Sequence, residues 1–255
     1  MTQIFAQLWR AAILALAGLS LAACDSVASL TGPTHQYVLA TNDTTLPAEE
    51  DKRAELYAAT QEVLSRRLEQ TGLTLHRIST DRTGGIVLDV SGSNSKEIIA
   101  STIDVTGEMA FRMVDETATP QQLAEGIAPV GSQVLPSRTG PPMAVKRLGA
   151  LRGRHIIEAR AATDQRTDQP AVFIQFDSEG GRKLAQITSD SVNRPMAMVL
   201  DGEILSAPII QEPILAGQLQ LSGGFSQKEA NEIAIALQGG ALPMPLSIIE
   251  ERELD

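Results

Sequence analysis

From His35 to Asp115 the apolar residues switch repeatedly between a period of two and a period of about 3.6, and the order of the switches limits the folds open to the chain. His35–Ala40 is a short strand candidate. Glu49–Gln70 places Leu56, Ala59, Val63, Leu64 and Leu68 on one helical face, and Gly72 follows as a stop. Leu73–Ser79 and Ile86–Ser91 read as two strands around the turn Asp81-Arg82-Thr83-Gly84-Gly85. Ser93 or Asn94 is placed to cap a helix carrying Ile98, Ile99 and Ile103. Glu108–Asp115 alternates Met109, Phe111 and Met113 against Arg112 and is expected to be the last strand. The order β-α-β-β-α-β is that of a ferredoxin-like split βαβ unit, here called the base and assigned to 35–117.

Residues 118–147 change character. They hold Pro120, Pro136, Pro141 and Pro142 with Gly126, Gly131 and Gly140. A short helix fits Pro120–Gly126, since Pro suits a first helical turn, and the rest reads as a linker. A second α+β unit, the head, is assigned to 148–240. Ala171–Phe176 is a strand, and Ser178 is placed to cap a helix running to about Val192. Met196–Leu200 and Glu203–Ile209 are strands joined by Asp201-Gly202, a turn type that needs positive φ at both residues. Leu219–Leu221 is a further short strand. Ser226 and Glu229 have the spacing of a capping box, and their helix stops at Gly239-Gly240. Pro243 and Pro245 then lead into a strand within 241–255, expected to return to an edge of the base sheet. The fold class is therefore α+β, with a small head inserted into a split βαβ base. Pro141, Pro142, Gly239, Gly240, Pro243 and Pro245 are the expected hinges of the two crossings.

Residues 1–23 read as an export signal. Arg10 is their one charge, and Ala11–Ala23 is an apolar run of 13 residues, too short to span a bilayer. Leu21-Ala22-Ala23-Cys24 resembles the lipobox of bacterial lipoproteins, in which the cysteine is acylated and the chain is cut before it. An ordinary signal peptide or an uncleaved anchor is the alternative. The chain has one cysteine, which excludes an internal disulfide and a Cys-rich metal site. Asp25 resembles the signal for inner-membrane retention in some envelope bacteria, and 24–34 reads as a tether. Removing Arg10 deepens the net charge from −10 to −11.

That charge opposes a phosphate backbone, and an aromatic content of 3% opposes base-stacking platforms, so nucleic acid is not an expected partner. His35, His76 and His155 show no metal-ligand spacing. The glycine pairs Gly84-Gly85, Gly180-Gly181, Gly223-Gly224 and Gly239-Gly240 read as turns and helix stops. No nucleophile–base motif, phosphate loop or dinucleotide fingerprint is present, so neither a cofactor, a metal, a small-molecule substrate nor an enzymatic activity is expected. One region runs against the acidic balance. Arg138, Lys146, Arg147, Arg152, Arg154, Arg160 and Arg166 lie among Glu158, Asp164 and Asp168. It is either a solvated face or a patch for anionic lipid or acidic polypeptide.

Several segments together resemble the first periplasmic region of SecD, a subunit of the bacterial protein-export machinery. They are Ala171–Asp177, Ala197–Pro208, Leu221-Ser222-Gly223-Gly224-Phe225 and Leu237–Leu246, ending in Glu250-Glu251-Arg252, with Ser65-Arg66-Arg67-Leu68 and Glu108–Arg112 in the base. The resemblance covers nearly all of 35–252. It implies a head-and-base protein that faces the periplasm and contacts exported polypeptides or Sec translocase subunits, with Asp201-Gly202 as the turn of the head hairpin. SecD continues into a transmembrane bundle, whereas here no apolar stretch of about 18 residues lies outside the signal segment. A stand-alone module held at the inner membrane through Cys24 is therefore expected. The alternative is an assembly lipoprotein of another envelope complex that reuses the fold.

Overall fold

The computed structural model describes residues 32–41 and 46–254. The signal segment, Cys24, Asp25 and most of the tether lie outside them. In chain order the base half contains β1 (His35–Ala40), α1 (Glu50–Leu68), β2 (Thr74–Thr80), β3 (Ile86–Ser91) and α2 (Ser95–Asp104). There follow β4 (Met109–Met113), α3 (Pro120–Ala124), β5 (Ser132–Leu135), β6 (Met143–Lys146) and β7 (Leu151–Arg152). A 3-10 turn at Gly153–His155 leads to β8 (Ile156–Asp164), β9 (Gln169–Phe176) and α4 (Ser178–Ser189). The chain ends with β10 (Met196–Leu200), β11 (Glu203–Ser206), β12 (Gln218–Leu221), α5 (Gln227–Gly239) and β13 (Ser247–Glu253).

The first sheet has the order β13-β1-β3-β2, antiparallel throughout. That is the strand order of a ferredoxin-like unit, with one change of player. Glu108–Asp115 was expected in the fourth slot, beside β1. The C-terminal strand β13 fills it instead, with Val38 opposite Glu250 and Tyr37 opposite Glu251. Helices α1 and α2 cover one face of this sheet. Leu64 and Leu68 of α1 and Ile99 of α2 are fully buried against Tyr37, Ile86 and Leu88. Each such side chain contributes roughly 1.5–3 kcal/mol.

Strand β4 turns away into a second antiparallel sheet of order β11-β10-β4-β7. Its register with β10 sets Phe111 opposite Met198. Pairing there buries Met109 and Phe111 in the head core, an apolar gain that the already filled base edge does not offer. A third sheet, β12-β9-β8, encloses the same core. Phe111 meets Phe176 of β9 edge-to-face, with centroids 5.3 Å apart and planes at 76°. Helices α4 and α5 add Leu184, Ile233 and Leu237.

The expected linker 118–147 is built structure. Strands β5 and β6 form a hairpin, Ser132 opposite Lys146, that packs on the outer face of the second sheet. Val145 is fully buried there with Val199 and Ile204. The prolines belong to this hairpin: Pro141 and Pro142 sit exposed at its tip. They are not on a crossing between the modules, and their assignment as hinges is corrected. Asp115 anchors the hairpin, since its Oδ2 accepts from Lys146 Nζ at 2.6 Å and from Ser132 Oγ at 2.5 Å.

The end signals hold with two changes. Ser226 and Glu229 form the reciprocal capping box of α5. Asp201 and Gly202 have φ of 49° and 83°, as the hairpin turn requires. Helix α4 is capped by Asp177, whose carboxylate accepts from the Gly180 amide, and not by Ser178. Gly180 and Gly181 are also no helix stop. They lie in the first turn of α4, where a Cβ on Gly180 would come within 2.6 Å of the His155 Cβ.

Candidate functional site

The two modules meet around one arginine. On α1 the buried stripe runs Val63, Leu64, Arg67, Leu68, so the helical period points Arg67 inward with the leucines. Arg67 is fully buried. Its Nη1 donates to the carbonyls of Thr102 at 2.7 Å and Val105 at 2.6 Å. Its Nη2 donates to Thr106 at 2.7 Å and Gly240 at 2.7 Å. Nε reaches Gly240 at 3.2 Å. These carbonyls end α2 in the base and α5 in the head, where helix dipoles leave partial negative charge. Burial lowers the Arg67 pKa to about 10, and nearby Asp201 opposes that drop. The guanidinium therefore stays charged at neutral pH.

Two glycines make the room. A Cβ on Gly107 would stand 2.7 Å from Arg67 Nη2 and 3.1 Å from the Ala236 carbonyl oxygen. A Cβ on Gly239 would collide with the Arg67 Cγ. Gly107 lies on the outgoing crossing and Gly239 on the returning one. The crossings also bond to each other, Leu242 N to Thr106 O at 2.7 Å. Asp201 accepts from the amides of Gly107 at 3.1 Å and Glu108 at 2.7 Å. The Asp201-Gly202 turn is thus docked on the outgoing crossing through the Asp201 carboxylate. Of the expected hinge residues, Gly239 and Gly240 lie at the joint. Pro243 and Pro245 are exposed but alternate with Leu242 and Met244, which are plugged into the base core.

A cleft opens on each side of the joint. One, of about 590 Å³, is lined by Gln70, Ile98 and Ser101 of the base and by Ala159, Ala161 and Ile235 of the head. Strand β8 pairs with β9 alone, so its outer edge has no strand partner among the described residues. The other cleft, of about 520 Å³, runs between Arg66 on α1 and Arg152 and Arg154 beside the 3-10 turn.

The structure sorts the seven basic residues of the 138–170 region. Arg138 lies near Glu203 and Glu229 and over the Phe225 ring. Lys146 bonds Asp115, and Arg147 donates to the Ser132 carbonyl. Arg160 stacks over Phe173 with Glu158 nearby, and Arg166 lies 3.9 Å from Asp164. The side chains of Arg152 and Arg154 have no hydrogen bond or ion pair among the described residues. The histidines are dispersed. His76 contacts Ser91, His35 contacts Thr34, and the buried His155 lies 3.1 Å from Asp177. Among the described residues no three His, Cys, Asp or Glu side chains gather where a metal could bind. No described helix is long and apolar enough to cross a membrane.

Sequence reasoning missed Arg67 and Gly107 as joint residues. The signal was present: a charge at an apolar-stripe position of α1 demands buried partners.

An α+β base closed by the chain's own C-terminal strand around an inserted α+β head defines a class, the SecD-like P1 domain. Residues 132–244 match the family described as SecDF, P1 head subdomain. The protein translocase subunit SecD of Magnetococcus marinus is 32% identical over 199 residues, covering 75% of this chain and 38% of that protein. SecD of Rickettsia bellii is 33% identical over 193 residues, covering 76% of this chain and 37% of that protein. The chain thus spans less than two fifths of these relatives. A crystal structure of SecDF in a super-membrane-facing form matches with a TM-score of 0.67 at 26% identity, covering 87% of this chain and 30% of that one. A second structure, of a membrane component SecDF that enhances protein export, matches with a TM-score of 0.63 at 26% identity, covering 86% of this chain and 100% of that one. The chain is related to the protein-export machinery.

Proposed function

We propose that this chain is a lipid-anchored accessory protein of protein export, which faces the periplasm and contacts exported polypeptide or a Sec translocase subunit. In this reading Cys24 carries the acyl chains, and Asp25 keeps the protein at the inner membrane. Two or three acyl chains hold a soluble domain stably, at roughly 0.8 kcal/mol per buried CH₂.

The observation that carries the reading is the outer edge of β8, which has no strand partner among the described residues, lies inside the segment matching the P1 head and lines the 590 Å³ cleft. An unpaired edge offers backbone N–H and C=O groups that any extended chain can bond, whatever its sequence. Ala159 and Ala161 keep that edge low, while Ile98 and Ile235 give apolar walls. Glu158 and Arg160 place charge on the strand, which guards it against pairing with another copy. Such a site binds weakly and broadly, as a holder of unfolded chains must. The function is binding, with no chemical step and no cofactor.

Motion of the head on the base would pivot at 105–108 and 239–241. There the chain crosses between modules, before Leu242 and Met244 enter the base core.

The test has two readouts. Palmitate labelling of the full chain is expected to disappear in Cys24→Ser. Cross-linked pull-down of the full chain from membranes is expected to recover Sec subunits or exported chains. Recovery of an unrelated envelope complex, with no Sec subunit, would contradict the reading and support an assembly lipoprotein.

A further inference from the structure

The cleft on the opposite side of the joint has different chemistry from the β8 cleft. Its floor is apolar, made by Val63, Met109, Ile156 and Leu237. Its rim carries Arg66, Arg152 and Arg154 against a single carboxylate, Glu108. Arg66 is already engaged, by Glu62 at 3.1 Å and by the Gly239 carbonyl at 3.1 Å. Arg152 and Arg154 are not, in a chain whose net charge is −10 and whose other cations in this region are paired. The loop that bears them is fixed. Gly153 lies so close to β4 that a Cβ there would be 3.1 Å from the Met109 Cβ and 3.3 Å from its carbonyl oxygen. The two arginines are therefore held at the cleft mouth by backbone packing, with no anionic side chain paired to them among the described residues.

We infer that this cleft binds an acidic segment of an extended polypeptide, with carboxylates on Arg152 and Arg154 and interleaved apolar side chains on the floor. Charge complementarity selects the carboxylates, because a guanidinium fork bonds them in a charge-assisted, often bidentate way. A volume of about 520 Å³ suits a few side chains of an extended chain and not a globular partner. The arginines line a recess between two modules and not an open face, so a lipid surface is the less suitable occupant. The cleft walls include Gly107, Gly239 and Gly240 from both crossings, with Arg66 from the base and Arg152 and Arg154 from the head. A segment bound here touches both modules at once and holds the head against the base. This inference rests on the proposed contact with exported polypeptide and adds a charge preference to it.

The test is fluorescence anisotropy on the full chain in detergent, with two labelled synthetic peptides of equal length, one alternating Glu with Leu and one alternating Lys with Leu. The acidic peptide is expected to bind more tightly and to weaken as salt rises. The double variant Arg152→Glu, Arg154→Glu is expected to weaken it about tenfold, the order set by reversing two partly exposed ion pairs. The neutralised pair Arg152→Gln, Arg154→Gln is expected to give an intermediate loss, and Arg182→Glu on α4 none. Unchanged urea midpoints show that each variant folds. Equal binding of the two peptides, or indifference to the charge reversal, would overturn the inference. So would binding of phosphatidylglycerol vesicles through these arginines with no binding of the acidic peptide. Loss of the acidic preference with β8 cross-links intact in cells defeats this inference alone. Absence of those cross-links with the preference intact defeats the proposed function instead.

Discussion

The Arg67 guanidinium donates to the Gly240 carbonyl oxygen at 2.7 Å, so a side chain of the first base helix closes the point where the chain leaves the head. The same group bonds the carbonyls that end α2. One residue thus satisfies orphan carbonyls of two helices in two modules. Replacing it with Met is expected to lower stability by about 3 kcal/mol, because the carbonyls it serves lose their partner. Arg67→Lys should not restore the loss, since one ammonium cannot serve acceptors on both helices. Urea unfolding followed by circular dichroism measures both. A stability unchanged in Arg67→Met would remove Arg67 from the joint.

Gly239→Ala is expected to cost about 1–3 kcal/mol, because its Cβ would land on the Arg67 Cγ. The same change made in an Arg67→Ala background should cost less, since the obstruction is gone. A double-mutant cycle reads the coupling, and additive costs would show that the two residues do not compete for space.

Asp201 holds the amides of Gly107 and Glu108 from across the joint. Asp201→Ala is expected to cost about 1 kcal/mol and to speed hydrogen exchange at the Glu108 amide. Asp201→Asn keeps a residue that tolerates the positive φ of the turn and should exchange at an intermediate rate. Unchanged exchange at Glu108 would show that the carboxylate does not anchor the crossing.

Stability should fall in acid through Asp115. Hydrogen bonds from Lys146, then Ser132 and Thr117, hold its carboxyl far below the ordinary value of 3.8. A carboxyl lowered in the folded state contributes fully above its unfolded pKa. That contribution is lost as pH falls below 3.8 toward the folded value. Asp115→Asn should therefore be less stable than the parent at neutral pH, with the gap closing in acid. Urea midpoints measured across that range check it. A gap independent of pH would contradict the ionic anchoring of the β5–β6 hairpin.

What the sequence makes legible here is what is encoded locally. Ile86, Leu88 and Val90 alternate, Asp201-Gly202 demands a hairpin turn, and Ser226 with Glu229 caps α5 within four residues. The first three base strands, their two helices and a C-terminal strand returning to the base edge were readable, but the placing of Glu108–Asp115 was not. Non-local choices were not readable. Met109, Phe111 and Met113 alternate whichever sheet they join, and only the competing edge strand β13 decides between them. Strand β8 opens on Ile156-Ile157 but continues Glu-Ala-Arg-Ala-Ala, a stretch with little strand preference, and pairing with β9 imposes its conformation. The prolines at 141 and 142 suggested a linker, but they mark a hairpin tip while Val145 beside them is buried. Arg67 hid because its partners are backbone carbonyls, which leave no residue-type signature.

Photo-cross-linking in living cells reads contact at the β8 edge without purification. With benzoylphenylalanine in place of Ile157, which is exposed on β8, adducts with exported polypeptides or Sec subunits are expected. The same probe in place of Val130, exposed just before the β5–β6 hairpin, should give none with exported chains. If Ile157 yields no such adducts, or if both positions yield the same ones, β8 is not the polypeptide-contact edge.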